Sequence, residues 1–161
     1  LGMVEKQYRK EKIEVVRMLD PNIPDVMMDA RQMEQVVINI TNNAVFAMKE
    51  SVGNTEHAGV LRKGELTVGS RFHAYKECVE IFIKDTGVGI SKNVLRKIFD
   101  PFFTTRKDGK GTGLGLSISY GIVKMHDGSI EVDSEIGKGT TFRIFLPLKA
   151  KKEQEMCVIK L

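Results

Sequence analysis

Glycines alternate through Gly109-Lys110-Gly111-Thr112-Gly113-Leu114-Gly115-Leu116 and then give way to an apolar helical stretch. They fall where the first amides of a helix would otherwise point at nothing. Bare N–H groups at a helix N-terminus form an anion site, and alternating glycines let phosphates sit against it. A plain flexible hinge is the alternative. The run is not a Walker A loop, since no Gly-Lys-Ser/Thr closes it, and it does not open a βαβ unit as GxGxxG does. Just upstream, Arg106, Lys107 and Lys110 supply positive charge for a polyphosphate, or simply solvate a loop.

The rest of the chain supplies the elements around that run. Ile13 to Leu19 reads as a strand closed by the Asp20–Pro24 turn. Asp29 is placed as a helix N-cap, with Gln32 completing a capping box. The helix is expected to run to about Met48 and to bury Met33, Val36, Val37, Ile40, Ala44, Ala47 and Met48. A mobile loop is expected over Ser51–Lys63, then a hairpin of strands Glu65–His73 and Cys78–Lys84 about a turn at Ala74–Lys76. Ser91 caps a short helix through Ile98, and Asp100–Thr112 is an excursion. Leu114–Met125 is helical and stops at Asp127-Gly128. Strands Ser129–Asp133 and Thr140–Leu146 finish the domain. This order predicts a two-layer α/β sandwich. Residues 1–12 read as a linker or the end of an upstream helix, 13–148 as the domain, and 149–161 as a frayed tail.

Composition removes several classes. With 161 residues, 42% apolar and 29% charged, the chain has an ordinary globular balance. Two cysteines give no disulfide framework, and with three scattered histidines they give no zinc or haem spacing. No apolar run approaches the ~20 residues of a membrane span, and the N-terminus lacks the apolar core of a secretory signal. A net charge of +4, no Trp and no basic stripe interleaved with aromatics argue against nucleic acid. The expectation is a soluble domain of a reducing compartment.

Three further blocks carry chemistry. In Asn39-Ile40-Thr41-Asn42-Asn43-Ala44, Asn39 and Asn43 lie one turn apart on one helix face. Asparagine is a mediocre helix former, so this cluster reads either as carboxamide oxygen offered to a hard cation such as Mg²⁺ or as a solvated polar face. Asp85-Thr86-Gly87-Val88-Gly89-Ile90 ends a strand. Its carboxylate suits an exocyclic amine such as that of adenine, and the glycines permit close approach to a flat ligand; an ordinary strand-to-helix turn is the alternative. An aspartic protease would need a second such carboxylate, which the chain lacks. Gly137-Lys138-Gly139-Thr140-Thr141-Phe142 starts the last strand and by itself is a routine hairpin turn.

Together and in this order, the blocks resemble the ATP-binding catalytic domain of bacterial sensor histidine kinases, within the superfamily of gyrase, heat-shock chaperone and mismatch-repair ATPases. Asn39–Ala44 is similar to the N box, Asp85–Ile90 to the G1 box, Ile98–Thr105 to the F box and Gly111–Leu116 to the G2 box. The resemblance spans roughly residues 13 to 148. It implies a Bergerat-type fold, a mixed, mainly antiparallel sheet covered on one face by helices.

It also implies roles. Asn43 would ligate Mg²⁺, supported by Asn39, and these two would be the catalytic residues. Asp85 would bind the adenine amino group, helped through water by Thr140, with Gly87, Gly89 and Ile90 shaping the pocket. Phe99–Lys110 would be a mobile lid anchored by Phe102 and Phe103, with Thr104, Thr105, Arg106, Lys107 and Lys110 beside the nucleotide. Amides of Gly111, Gly113, Leu114 and Gly115 would hold phosphates, with Thr112 and Leu116 in the same box. Hydrolysing cousins carry a glutamate where Asn39 stands, so transfer to an imidazole is favoured over transfer to water, and Asn39→Glu is expected to raise slow hydrolysis if the position faces a water.

Val45-Phe46-Ala47-Met48 replaces the family's frequent Lys-Tyr pair. That and the short lid are closer to nitrogen-regulation-type kinases. His57, His73 and His126 lack the context of a phosphoacceptor histidine. The resemblance therefore implies a catalytic domain from a longer protein, unable to phosphorylate itself alone. Its implied partners are a phosphoacceptor and dimerisation helical domain of the same protein and a downstream response regulator. The domain itself would be monomeric, the parent homodimeric. The domain would face the cytoplasm, whether or not the parent is membrane-anchored. The alternatives are a nucleotide-binding regulatory module without transfer, and an ATPase switch, which Asn39 disfavours.

Overall fold

The computed structural model of the protein describes residues 13–55, 63–106 and 111–148. The β-branched start of Ile13–Leu19 forms strand β1, which lies parallel to β2 (Gly64–His73) from Ile13↔Gly64 to Leu19↔Ser70. Parallel neighbours need a long crossover, and helix α1 (Ala30–Thr55) lies in that connection. A 3₁₀ turn at Ala74–Lys76 reverses the chain into β3 (Cys78–Asp85), antiparallel to β2. Helices α2 (Lys92–Leu95) and α3 (Gly115–Met125) precede β4 (Ser129–Glu135) and β5 (Gly139–Pro147). The sheet order is β1-β2-β3-β5-β4, with every pair after the first antiparallel. This is the mixed, mainly antiparallel sheet that the resemblance implies.

Strand alternation sorts the side chains. Leu66, Ile83, Phe142, Ile144 and Leu146 point to one face, where they meet Met33, Val36, Ile40, Ala44 and Met48 of α1 and Ile122 and Val123 of α3. Each such burial contributes roughly 1.5–3 kcal/mol for the larger side chains. On the other face the Phe82 ring covers Gly69, where a Cβ would strike the ring, and the Arg71 guanidinium lies 4.8 Å from the ring centroid. Glu80 is buried on that face between His73 Nε2 at 2.7 Å and Arg143 Nε at 3.5 Å.

Several boundaries differ from expectation. Helix α1 continues through Ser51 to Thr55, where a loop was expected, because one interior glycine costs only about 1 kcal/mol. Val45 is buried as well, outside the predicted stripe. Asp29 does cap α1, its Oδ1 accepting from the amides of Arg31 and Gln32. The reciprocal half of the capping box is replaced, since the Asp29 N–H donates to His126 Nε2 at 2.9 Å. His126 Nδ1–H in turn donates to the Ile122 carbonyl, so this histidine joins the end of α3 to the start of α1. Helix α2 ends at Leu95, short of Ile98, and β4 runs two residues past Asp133. The expected linker, the remainder of the loop after Thr55 and the tail lie outside the described residues.

Candidate functional site

One end of the sheet gathers the chemistry. Asp85 is the last residue of β3, opposite Thr140 of β5 and Leu66 of β2. It is 2% exposed, and its Oδ1 accepts from the Gly87 amide at 2.8 Å. Burial pushes its carboxyl up to about 6, against amide hydrogen bonds from Gly87 and Thr140 that pull it down. A carboxylate with two oxygens has acceptor capacity left for a ligand N–H. The chain leaves Asp85 through Gly87, which lies against the backbone of Ala47, and the Val88 amide donates to the Ala47 carbonyl at 3.2 Å. Gly89 has φ +72, and a Cβ there would strike the Glu135 carbonyl, so the turn requires glycine.

Ser134, at the end of β4, ties this floor together and was not singled out from the sequence. Its Oγ accepts from the Ile90 amide at 2.7 Å, donates to the Gly139 carbonyl at 3.0 Å and lies 2.9 Å from Thr140 Oγ1. With the Ser134 proton given to Gly139, Thr140 is the donor within that pair, and its own lone pairs are left to accept. Pairing across the β4–β5 turn, Ser134↔Thr140, is the signal that would have found it.

Helix α1 forms the wall. Asn43 Oδ1 accepts from Arg106 Nη2 at 2.9 Å. The Arg106 guanidinium also lies 4.1 Å from the centroid of the Phe46 ring, three residues along α1. Asn39, a turn earlier, spends its amide protons elsewhere, donating from Nδ2 to the Gly115 carbonyl at 3.1 Å and to Ser119 Oγ at 3.2 Å. The two asparagines therefore part company: Asn43 offers an oxygen to a cation, and Asn39 braces α1 against the start of α3.

The third side is the N-terminus of α3. Leu114 is its N-cap and no side chain caps the helix, so its first amides are unsatisfied from within. Gly113 takes φ +67 with a Cβ position inside the Phe102 backbone, so no other residue fits. Gly111 packs on Thr104 and Arg106. Thr112 Oγ1 reaches the Leu114 amide at a long 3.4 Å, and Leu116 packs on the core.

Of the two phenylalanines expected to anchor the excursion, Phe103 lines the cavity while Phe102 is 75% exposed and does not. The anchoring ring is Phe99, 5.3 Å from Tyr120. Lys107 and Lys110 lie outside the described residues.

These walls surround a cavity of about 460 Å³ that Asn43, Asp85, Thr104, Thr105, Arg106 and Thr140 line along with Gly89, Gly111, Gly113 and Gly115, while Gly87 packs on Ala47 behind it, a size usual for small-ligand sites. A buried acceptor stands at one end and bare helix amides with a guanidinium at the other, which suits a ligand with an amine-bearing ring and an anionic tail. The Asn43 oxygen already accepts from a cationic group, so it fits a hard cation. Among the described residues no three or more His, Cys, Asp or Glu side chains form a metal cluster. Mg²⁺ bound beside phosphate oxygens needs only one or two protein ligands.

Residues 28–150 match the family described as histidine kinase-, DNA gyrase B-, and HSP90-like ATPase. The chain is 47% identical over 127 residues to the sensor kinase CckA of Brucella abortus (strain 2308), covering 76% of this chain and 13% of that protein. It is 32% identical over 158 residues to sporulation kinase E of Bacillus subtilis (strain 168), covering 96% of this chain and 19% of that protein. The chain thus spans less than a fifth of either relative. The nucleotide-free catalytic domain of histidine kinase ThkA superposes with a TM-score of 0.73 at 29% identity, covering 91% of this chain and 88% of that one.

Proposed function

The chain belongs to the histidine kinase-, DNA gyrase B-, and HSP90-like ATPase family, and from that premise we propose that it binds Mg-ATP in this cavity and passes the γ-phosphoryl group to a histidine on a phosphoacceptor helical domain of the same protein. The observation that carries the reading is the juxtaposition of the buried Asp85 acceptor, the Asn43 oxygen and the uncapped start of α3 around one cavity. Asp85 accepts from the adenine amino group, with Thr140 beside it. Amides of Gly113, Leu114 and Gly115 take phosphate oxygens. Asn43 would ligate the metal, which would neutralise phosphate charge during transfer. Asn39 has no carboxylate to deprotonate a water, and its amide is engaged with α3, so the site is suited to positioning a phosphoryl group rather than to hydrolysis.

The proposal extends to a domain over residues 13–148 of nitrogen-regulation-like subtype, on the short excursion and the stretch Val45-Phe46-Ala47-Met48. It includes a cytoplasmic setting and delivery of the phosphoryl group to a response regulator. No helix among the described residues is long and apolar enough to cross a membrane.

The test mixes this domain with γ-labelled ATP, Mg²⁺ and the parent's separately prepared histidine-bearing segment. Acid-labile label on that segment, lost with Asn43→Ala, is the expected result. Binding without transfer would favour a regulatory module. Absence of binding would overturn the reading of the cavity.

A further inference from the structure

Among the described residues Arg106 is the one basic side chain that lines the cavity, and three contacts fix it. Nη2 donates to Asn43 Oδ1 at 2.9 Å, and the guanidinium lies 4.1 Å from the Phe46 centroid. The third is its stem: a Cβ built at Gly111 would stand 3.0 Å from both Cβ and Cδ of Arg106, so stem and glycine are in close contact. Asn43 and Phe46 are three residues apart on α1, close enough on one face to hold a planar cation between an oxygen and a π-face. Residues 106 and 111 both lie within the Asp100–Thr112 excursion, so this side chain couples the excursion to α1.

We propose that Arg106 is a displaceable occupant of the Asn43 oxygen, so that a metal–polyphosphate must expel it to bind and the Arg106–Phe46 stack sets how much metal nucleotide binding requires. The proposal rests on Asn43 being the metal ligand. Two cations at one carboxamide oxygen repel each other in a cavity that screens poorly, so guanidinium and metal exclude one another there. Without ligand the guanidinium satisfies Asn43 and keeps the base of the excursion against α1. With a metal–polyphosphate the oxygen passes to the metal and the guanidinium leaves it. Arg106 is thus a positioning residue whose release is tied to metal arrival.

The test titrates Mg²⁺ into the protein with a fixed concentration of a non-hydrolysable ATP analogue and reads binding by calorimetry. Phe46→Leu keeps the charge and removes the π-face. Its half-saturating Mg²⁺ concentration is expected to fall about three- to tenfold, with Arg106→Gln shifting in the same direction. Amide exchange at Thr104–Arg106 in the nucleotide-free protein is expected to quicken in Phe46→Leu, which a change in the metal site alone would not produce. Midpoints within about twofold of wild type in both variants would overturn the latch. Asn43→Ala separates the two readings. Loss of metal dependence in that variant with no midpoint shift in the others defeats the latch alone. Wild-type metal dependence in Asn43→Ala defeats the metal reading and the latch with it.

Discussion

Burial raises the Asp85 carboxyl from 3.8 to about 6, so the folded protein holds that proton more tightly than the unfolded chain does. Stability therefore falls as pH rises from about 4 to about 6 and levels off above, a loss on the order of 3 kcal/mol. Asp85→Asn should abolish that slope and stabilise the nucleotide-free protein at neutral pH, since an amide carries no charge to desolvate. The same change should weaken ATP by about 10- to 100-fold, because a donor would meet the adenine amine. In the wild type, affinity should decline below about pH 6 as the acceptor is protonated. Urea titrations from pH 4.5 to 7.5 with parallel calorimetry check both halves. An unchanged slope in the variant would remove Asp85 as its source.

Between elements, the contact of α1 with α3 decides how the site is held. Asn39 donates two hydrogen bonds there from Nδ2, to the Gly115 carbonyl and Ser119 Oγ. Asn39→Glu would replace the donor with carboxylate oxygens facing a carbonyl. It should cost about 1–3 kcal/mol of stability and leave hydrolysis no faster, the reverse of what the position suggests when read alone. A urea midpoint and a steady-state ATPase assay measure the two effects. Local pattern made much at this scale legible: β1 runs Ile13–Leu19 as read, and Asp29 caps α1. What was missed depends on distant partners. His126 takes the Asp29 amide from 97 residues away, Ser134 is defined by strand pairing, and Phe46 acquires a role only through Arg106. Neither periodicity nor turn chemistry encodes such meetings.

For the molecule as a whole, the sheet order brings the ends of β3 and β4 and the start of β5 to one edge of the cavity, while α1 and α3 bound the rest. The glycine run and the asparagine cluster stand out in the sequence because both break helix rules; packing explains part of that, since Asn39 bonds to α3 and Gly113 lies against the Phe102 backbone, and the rest is what the reading of an anionic ligand and a cation rests on. Which lysines serve the lid was not legible, and Phe102, read as an anchor, is exposed. The central claim is that one ligand spans this cavity from Asp85 to the start of α3. It is tested most directly by mapping amide chemical shifts of the isotope-labelled protein as Mg-ATP analogue is added. The account predicts the largest changes at Asp85, Gly87, Gly89, Thr140 and Gly113–Leu116. Changes centred on the opposite sheet face around Phe82 and Glu80, or none at all, would contradict it.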